Sequence, residues 1–506
     1  MDALFRPIAD LVGASVDQLK VRKLIFCLLV AYPLGSLYIR VPSSNPNARH
    51  VFSIATAFFF YVPVLNIPGA FAQLLADMLF TYAMARYNTS RNMPWVVFWV
   101  LMGHLTASHV IRVIYNLSYE TIEVTGSQMV LVMKLTTFAW NIHDGRQKAE
   151  DLDKWQLARR VVDYPSLTAF LGYALYFPGV LVGPYLDYSE YNELVTDALY
   201  KGVQVAPGQR RVPKGRKRVA YRKMVKGLIF LGLFVLFGGT YNFGASLQPW
   251  FINLPYWQRF VIFQVFGFFE RCKYYAIWTL TEGASIVTGF GFTGFTPQGR
   301  STWDGAANIH VREVEFAENF KVLLDNWNIK TNIWLKECIY KRVTPKGKKA
   351  GFKSSVLTSL TSAFWHGVQS GYYLTFLTGA CITSLARLVR KNVRPLLLPA
   401  PGQAPSLAKR AYDLGGILLT NCILNYAAAP FMLLTASASI ECWRHLAWYG
   451  HIIVFGGLIF FYAGGAHLCR VLQEREGKKP RGSGTATPAE PYMVPPALEE
   501  MFPPKQ

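Results

Sequence analysis

The sequence predicts an all-α, polytopic membrane protein, and three observations carry that prediction. Its 506 residues are 52% hydrophobic and 15% aromatic, too apolar for a soluble enzyme of ordinary composition. Apolar runs recur along most of its length, and several approach the roughly 20 residues needed to cross about 30 Å of hydrocarbon. The 52 Lys and Arg residues, against 30 Asp and Glu, give a net charge of +22. They sit in short segments between the apolar runs, the positive-inside pattern of cytosolic loops, which argues against nucleic acid as a partner.

Candidate spans lie at Leu24–Tyr38, Val51–Tyr87 (long enough for two passes), Val96–Tyr115, Met129–Trp140, Ala169–Tyr185, Gly227–Tyr241, Val261–Thr281, Val356–Leu385, Ile417–Leu434 and Trp448–Cys469. They make about eleven transmembrane helices. The first twenty residues contain Asp, Arg and Lys, so the first run reads as a retained span and not a cleaved signal. A cytosolic loop is expected at Arg210–Lys226, which carries nine basic residues and no acid. Two further basic segments, Lys341–Lys353 and Arg387–Arg394, bracket the Val356–Leu385 run. Both flanks favour the same face, so that run is expected to be a long or re-entrant pair bent near Gly367 and Gly371. Between Asn308 and Tyr340 apolar and charged residues interleave at near-helical spacing, which predicts an amphipathic helix. One transmembrane domain over residues 1–470 is expected, followed by a disordered cytosolic tail over 471–506, rich in Gly, Pro, Ser, Thr and charge.

Seven cysteines are scattered without a Cys-x-x-Cys pair or a spacing with histidine that would hold a metal, so neither a disulfide framework nor a metal site is expected. Sequons occur at Asn88-Thr-Ser and Asn116-Leu-Ser and would matter only on a lumenal face. Most of the nine histidines have structural readings. His104 and His109 do not share a helical face as an i, i+4 pair would; His143 sits beside Asp144, and His445, His451 and His467 fall near or within the last span.

His366 differs by its company. It lies in Trp365-His366-Gly367, with Ser370, Gly371 and Tyr372 one turn later, inside an apolar run. An ionisable residue at membrane depth is a functional-site hypothesis by default, and its glycines permit close approach of a helix or an acyl chain. On chemistry alone, a general base and a buried structural histidine account for it equally well. A second constellation, Asn326-Trp327-Asn328 with Thr331, Asn332, Trp334 and Leu335, gathers amides beside two tryptophans. Amides in such surroundings need partners, and they can satisfy one another or donate to an oxyanion. No Gly-x-Ser-x-Gly elbow, Walker loop or dinucleotide fingerprint is present, so a covalent serine mechanism has no support.

The pairing of Asn326–Leu335 with Trp365–Tyr372 resembles the membrane-bound O-acyltransferases, in particular their lysophospholipid acyltransferase branch. Further segments share the resemblance: Lys134–Trp140 with His143-Asp144-Gly145, Tyr176-Phe177-Pro178 leading to Gly183-Pro184, Thr281-Glu282-Gly283, Gly289–Phe292, and Trp303-Asp304. It extends from about residue 20 to about residue 470; single elements are weak, and their number and order carry it. It implies helices arranged around a central reaction chamber, with His366 as general base and Asn328 as its polar partner. Asn326 and Asn332 are the weaker claimants to that second role.

The resemblance also implies Trp327, Thr331, Asn332, Trp334, Trp365, Gly367, Ser370, Gly371 and Tyr372 as substrate-binding neighbours. Lys341 and Arg342, after Tyr340, would lie at a cytosolic mouth; a positive-inside flank explains them as well. Implied partners are acyl-CoA as co-substrate, with no bound cofactor or metal, a lysophospholipid and the bilayer; homo-oligomerisation stays open. The implied location is the endoplasmic reticulum membrane, and broad headgroup tolerance is expected, as in fungal enzymes of this type. Two alternatives remain: a sterol, diacylglycerol or protein acceptor within the same family, and a secondary transporter with His366 in a proton relay, against which the absence of an internal repeat speaks.

Overall fold

A computed structural model describes residues 16–117, 123–183, 185–203, 212–344, 352–399 and 403–477. The tail from 478 onward, residues 210–211 and 345–351 of the basic loops, Ser118 of the second sequon and Pro184 lie outside the described residues. The described chain is helical apart from loops and one two-stranded hairpin, Gly294–Phe295 against Ser301–Thr302. It divides into two compact units, one formed by residues up to 229 with 276–308, the other by 230–275 with the residues from 309 onward.

The first unit is organised by helix Val124–Gly145, which covers the expected Met129–Trp140 span. Nearly every one of its side chains is buried, including Gln128, Lys134, Thr136, Thr137, Asn141 and Asp144. Such a helix is an interior element, and its polar groups must find protein partners because unsatisfied burial costs several kcal/mol, roughly 2–7 each. Lys134 shows how: its ammonium donates to the carbonyls of Tyr173 at 2.6 Å and Ala174 at 2.9 Å. These are the last carbonyls of helix Leu167–Ala174, where a cation also complements the helix dipole. Other segments noted above act similarly as fastenings in this unit. Glu282 is buried and paired with Lys223 at 2.7 Å, and Tyr176 Oη meets Thr288 Oγ1 at 2.5 Å.

The expected span at Ala169–Tyr185 is not one. The Ser166 side chain caps a helix of only eight residues, Leu167–Ala174, and the chain then turns through Pro178, Gly179 and Gly183, whose φ is +95°. A proline without an N–H and a glycine in the left-handed region end the helical register there. Among the described residues, four helical segments are long and apolar enough to cross a membrane: Met93–Ile114, Ser370–Asn392, Leu407–Leu433 and Tyr449–Arg475, with Lys23–Tyr38 shorter. Length and apolarity therefore do not yield eleven spans. Other expected runs are helical but carry charge, as in Tyr256–Thr288 with Arg259, Glu270, Arg271, Lys273 and Glu282. The final helix, Ala466–Arg475, runs past the domain boundary expected at 470, because no glycine or proline interrupts it before Gly477.

In the second unit Phe243, Phe251, Phe263, Phe266, Tyr426, Trp443 and Leu446 form a buried core. Helix Ser370–Asn392 packs against both Phe352–His366 and Leu407–Leu433. The run expected over Val356–Leu385 is thus two helices with a break after His366, where Gly367 has a φ of +140°. Gly371 is not at the bend. It lies in the first turn of the second helix and donates its N–H to Leu434 O at 2.6 Å.

The single amphipathic helix expected over Asn308–Tyr340 is instead a chain of short pieces: Val311–Glu315, Phe320–Asn326, Ile329–Trp334 and a π-helical turn at Leu335–Tyr340. Asparagines do the cutting. Asn319 accepts from the N–H groups of Lys321 and Val322 and starts one helix, while Asn328, at φ +45°, starts the next from the left-handed region that asparagine tolerates.

A Cβ at position 371 would collide with Pro430 O and stand 2.8 Å from Leu434 O. Gly371→Ala is therefore expected to push helices Ser370–Asn392 and Leu407–Leu433 apart, at about 1–3 kcal/mol. A lowered melting temperature of the detergent-purified protein would register it; an unchanged one would show that the packing yields without cost.

Candidate active site

His366 ends its helix. The next residue, Gly367, takes a backbone conformation closed to side chains with a Cβ, and this stops the helix so that the imidazole stands on the last turn. Around it the second unit places an aromatic enclosure. The ring centroid lies 4.6 Å from Trp365, 4.7 Å from Phe431 edge-on, 5.3 Å from Phe376 in a stacked arrangement and 5.9 Å from Tyr372. Tyr372 and Phe376 present themselves together because they are four residues apart on one helix. Phe431 comes from Leu407–Leu433 and also meets Tyr372 at 4.8 Å.

Asn328 heads helix Ile329–Trp334. Its backbone is left-handed, with φ +45°, a state that asparagine adopts more readily than most residues with a side chain. Its Oδ1 accepts from Thr331 Oγ1 at 2.9 Å, which ties the amide to its own helix. The two sequence motifs meet through tryptophans. Fully buried Trp334, on the Asn328 helix, packs against Trp365, the neighbour of His366, at 5.7 Å, and the helix ending at His366 packs against the Leu335–Tyr340 turn. A π-helical turn is a rare element that recurs at functional sites.

Other residues picked out by sequence have defined places. Asn332 Nδ2 donates to the carbonyls of Leu324 and Trp327, tying the Asn328 turn to the preceding helix, and Asn326 Nδ2 donates to Val322 O at 2.8 Å. Trp327 lies against Tyr274 and Tyr275, at 5.7 and 6.1 Å. Lys341 pairs with buried Glu337 at 2.6 Å, and Arg342 Nε donates to the Glu337 carbonyl at 3.2 Å. Ser370 is exposed at the start of its helix.

Sequence reading missed Phe376 and Phe431. The first was recoverable from its i, i+4 relation to Tyr372; the second, about sixty residues on, had no local signal. A cavity of about 550 Å³ lies in the first unit, lined by Arg49, Thr196, Asp197 and Lys201 among others, and contains none of these residues. There Arg49 is occupied with Asp197 and with the carbonyls ending helix Tyr188–Val195, a structural cap.

Known proteins share this chain's sequence over nearly its whole length. A lysophospholipid acyltransferase of Schizosaccharomyces pombe is 38% identical over 461 residues, 91% of this chain and 89% of the relative. The lysophospholipid acyltransferase of Saccharomyces cerevisiae is 36% identical over 487 residues, 92% of this chain and 77% of its own length. The human membrane-bound glycerophospholipid O-acyltransferase 1 is 31% identical over 459 residues, 88% of this chain and 89% of the relative. The family model for membrane-bound O-acyltransferases matches residues 111–429, a stretch that holds Asn328, His366, the tryptophan pair between them and Tyr372, Phe376 and, within the last turns, ends just before Phe431. On that match and those relatives, the chain is a membrane protein that belongs to the membrane-bound O-acyltransferase family.

Proposed function

We propose that this protein is a lysophospholipid acyltransferase, moving a fatty acyl group from acyl-CoA to the free glycerol hydroxyl of a lysophospholipid in the endoplasmic reticulum membrane. The observation that carries the reading is the joining of the His366 and Asn328 motifs through the Trp334–Trp365 pair in one unit. The names borne by the fungal and animal relatives supply the acceptor class.

His366 takes the proton of the lysophospholipid hydroxyl as its oxygen attacks the thioester carbonyl carbon. Negative charge then gathers on the former carbonyl oxygen, and the Asn328 amide is the donor offered to it or to the acceptor. Collapse re-forms the carbonyl and breaks the C–S bond; the leaving CoA sulfur takes the proton back from the imidazolium. The products are a diacylated phospholipid and CoA, with no acyl-enzyme, cofactor or metal required. The aromatic side chains around His366 offer water few partners beside a thioester that it would otherwise consume. Holding both substrates together supplies proximity, for which effective molarities on the order of 10⁵ M are known. The finer architecture that goes with this reading is a multi-pass helical body around a reaction chamber, with Lys341 and Arg342 on its cytosolic side, where basic charge attracts polyanionic CoA.

His366→Ala is expected to lower transfer from radiolabelled acyl-CoA to lysophosphatidylcholine, lysophosphatidylethanolamine or lysophosphatidylserine by about 10²–10⁴-fold, the usual contribution of a general base. Full activity in correctly inserted protein would end the proposed mechanism. Asn328→Ala is expected to cost about 10²–10³-fold in kcat, the scale of losing one oxyanion donor. Thr331→Val removes only the hydroxyl that orients the Asn328 amide, so its loss should be smaller, about tenfold, and confined to kcat; a KM effect instead would assign Thr331 to substrate binding.

A further inference from the structure

The second unit contains a buried polar network that the mechanism above does not use. Its centre is Arg271 on helix Tyr256–Thr288, about 7% exposed. The guanidinium forks onto Glu315, Nε to Oε1 at 2.9 Å and Nη2 to Oε2 at 2.8 Å. Nε also reaches Tyr275 Oη at 3.1 Å, and that hydroxyl donates to Glu315 Oε1 at 2.5 Å. Nη1 donates to Asn425 Oδ1, and Asn425 Nδ2 donates to Gln264 Oε1 at 2.9 Å. Gly267, one turn before Arg271, lets the Asn425 side chain lie against the helix, since a Cβ there would occupy the position of its amide.

Two arms leave this centre, and each ends at a different half of the reaction centre. Along one, the Tyr275 ring held by Arg271 and Glu315 carries Trp327, the residue immediately before Asn328. Glu315 itself closes helix Val311–Glu315, and His310, just before that helix, donates its N–H to Asn326 O at 3.1 Å, so the same segment is fastened to the Asn328 turn by backbone as well. Along the other arm, Asn425 lies on helix Leu407–Leu433, which brings Phe431 edge-on to His366. Asn421, a turn earlier, donates to the Glu315 carbonyl at 2.8 Å, adding a second tie between the arms.

We infer that Arg271 and Glu315 are positioning residues that set the placement of Asn328 relative to His366, one ion pair bracing both halves of the site. This rests on the roles given to Asn328 and His366 above. An Arg–carboxylate fork is the most directional ion pair available, and a displacement of about 1 Å in a reacting group can cost about 10²-fold in rate. Neither residue touches the reacting atoms in this arrangement; each acts through Tyr275–Trp327 or through Asn425 and its helix.

The test is a double-mutant cycle on the purified full chain in detergent, followed by prolonged incubation with radiolabelled acyl-CoA and lysophosphatidylcholine. Glu315→Gln should lower kcat about 10²-fold with KM for acyl-CoA changed less than about threefold, while the protein remains monodisperse on size exclusion. Combined with Asn328→Ala, it should cost clearly less than it does in the wild type, because the Tyr275–Trp327 arm ends at that residue and only the Asn425 arm to the His366 side is left to act. Should Glu315→Gln fail to fold, Tyr275→Phe carries the same comparison, since it removes one hydroxyl and leaves the ring beneath Trp327. Full additivity on an impaired Asn328→Ala background, or a rise in KM without a fall in kcat, overturns the positioning role while leaving the proposed mechanism standing. An Asn328→Ala variant of full activity would remove the mechanism first.

Discussion

The second unit depends on one requirement: a guanidinium inside an apolar helical assembly must have acceptors for its donors. Arg271 meets it with Glu315, Asn425 and the Tyr275 hydroxyl, drawn from three separate stretches of sequence. Removing a single partner from such a pair strands a charge, at roughly 3–5 kcal/mol, so these stretches are held in register by the cost of separating them. The short helices of 311–334 have too few residues to be stable alone. They keep their shape because the ion pair, the Asn332 carbonyl contacts and the edge-on packing of Trp327 with Tyr274 and Tyr275 fix them to longer elements.

The same economy of polar partners appears in the first unit. Lys134 has carbonyls at the end of helix Leu167–Ala174 as its hydrogen-bond acceptors, and Asp77 holds His104 Nδ1 at 2.7 Å, so that histidine has a structural explanation of the kind expected from sequence. His451 likewise meets Tyr426 Oη at 2.6 Å, and His445 meets Ser246 O at 3.1 Å. His366 combines two settings that these histidines have separately, a helix end like that of His445 and a ring of aromatic side chains like that of His451.

How far the sequence reached follows from the range of each signal. Helical class and the bend at Gly367 were legible, because hydropathy and glycine act over a few residues; Val51–Tyr87 does divide into two helices, Pro46–Phe59 and Pro68–Tyr87, but neither is among those long and apolar enough to cross a membrane. The Ala169–Tyr185 run was misjudged, since apolarity does not distinguish a span from a buried turn region and its punctuation, Pro178 and Gly179, was outweighed by its composition. The Asn308–Tyr340 segment had the period of one helix, yet Asn319 and Asn328 divide it by capping geometry that periodicity does not register. In the site, His366, Asn328 and the tryptophans were named from local motifs. Phe431, Arg271, Glu315 and Asn425 were not, because their roles arise from contacts across tens to more than a hundred residues, where one sequence carries no pairing information.

That division has a physical logic for acyl transfer. The two residues proposed to act on the substrate lie where the backbone is locally unusual, and so leave local traces: a glycine that ends the His366 helix and an asparagine in the left-handed region. Groups that keep those two points at a fixed separation must span the unit, and so leave none. An imidazole can accept a proton only within hydrogen-bond reach of a hydroxyl, and an amide stabilises an oxyanion only from about 3 Å. Neither helix end can satisfy those limits by its own conformation, since the two lie on separate elements joined by tertiary contacts. The rate such a site can support is therefore limited by the stiffness of what lies between, and here that is a tryptophan pair, a π-helical turn and one buried guanidinium fork.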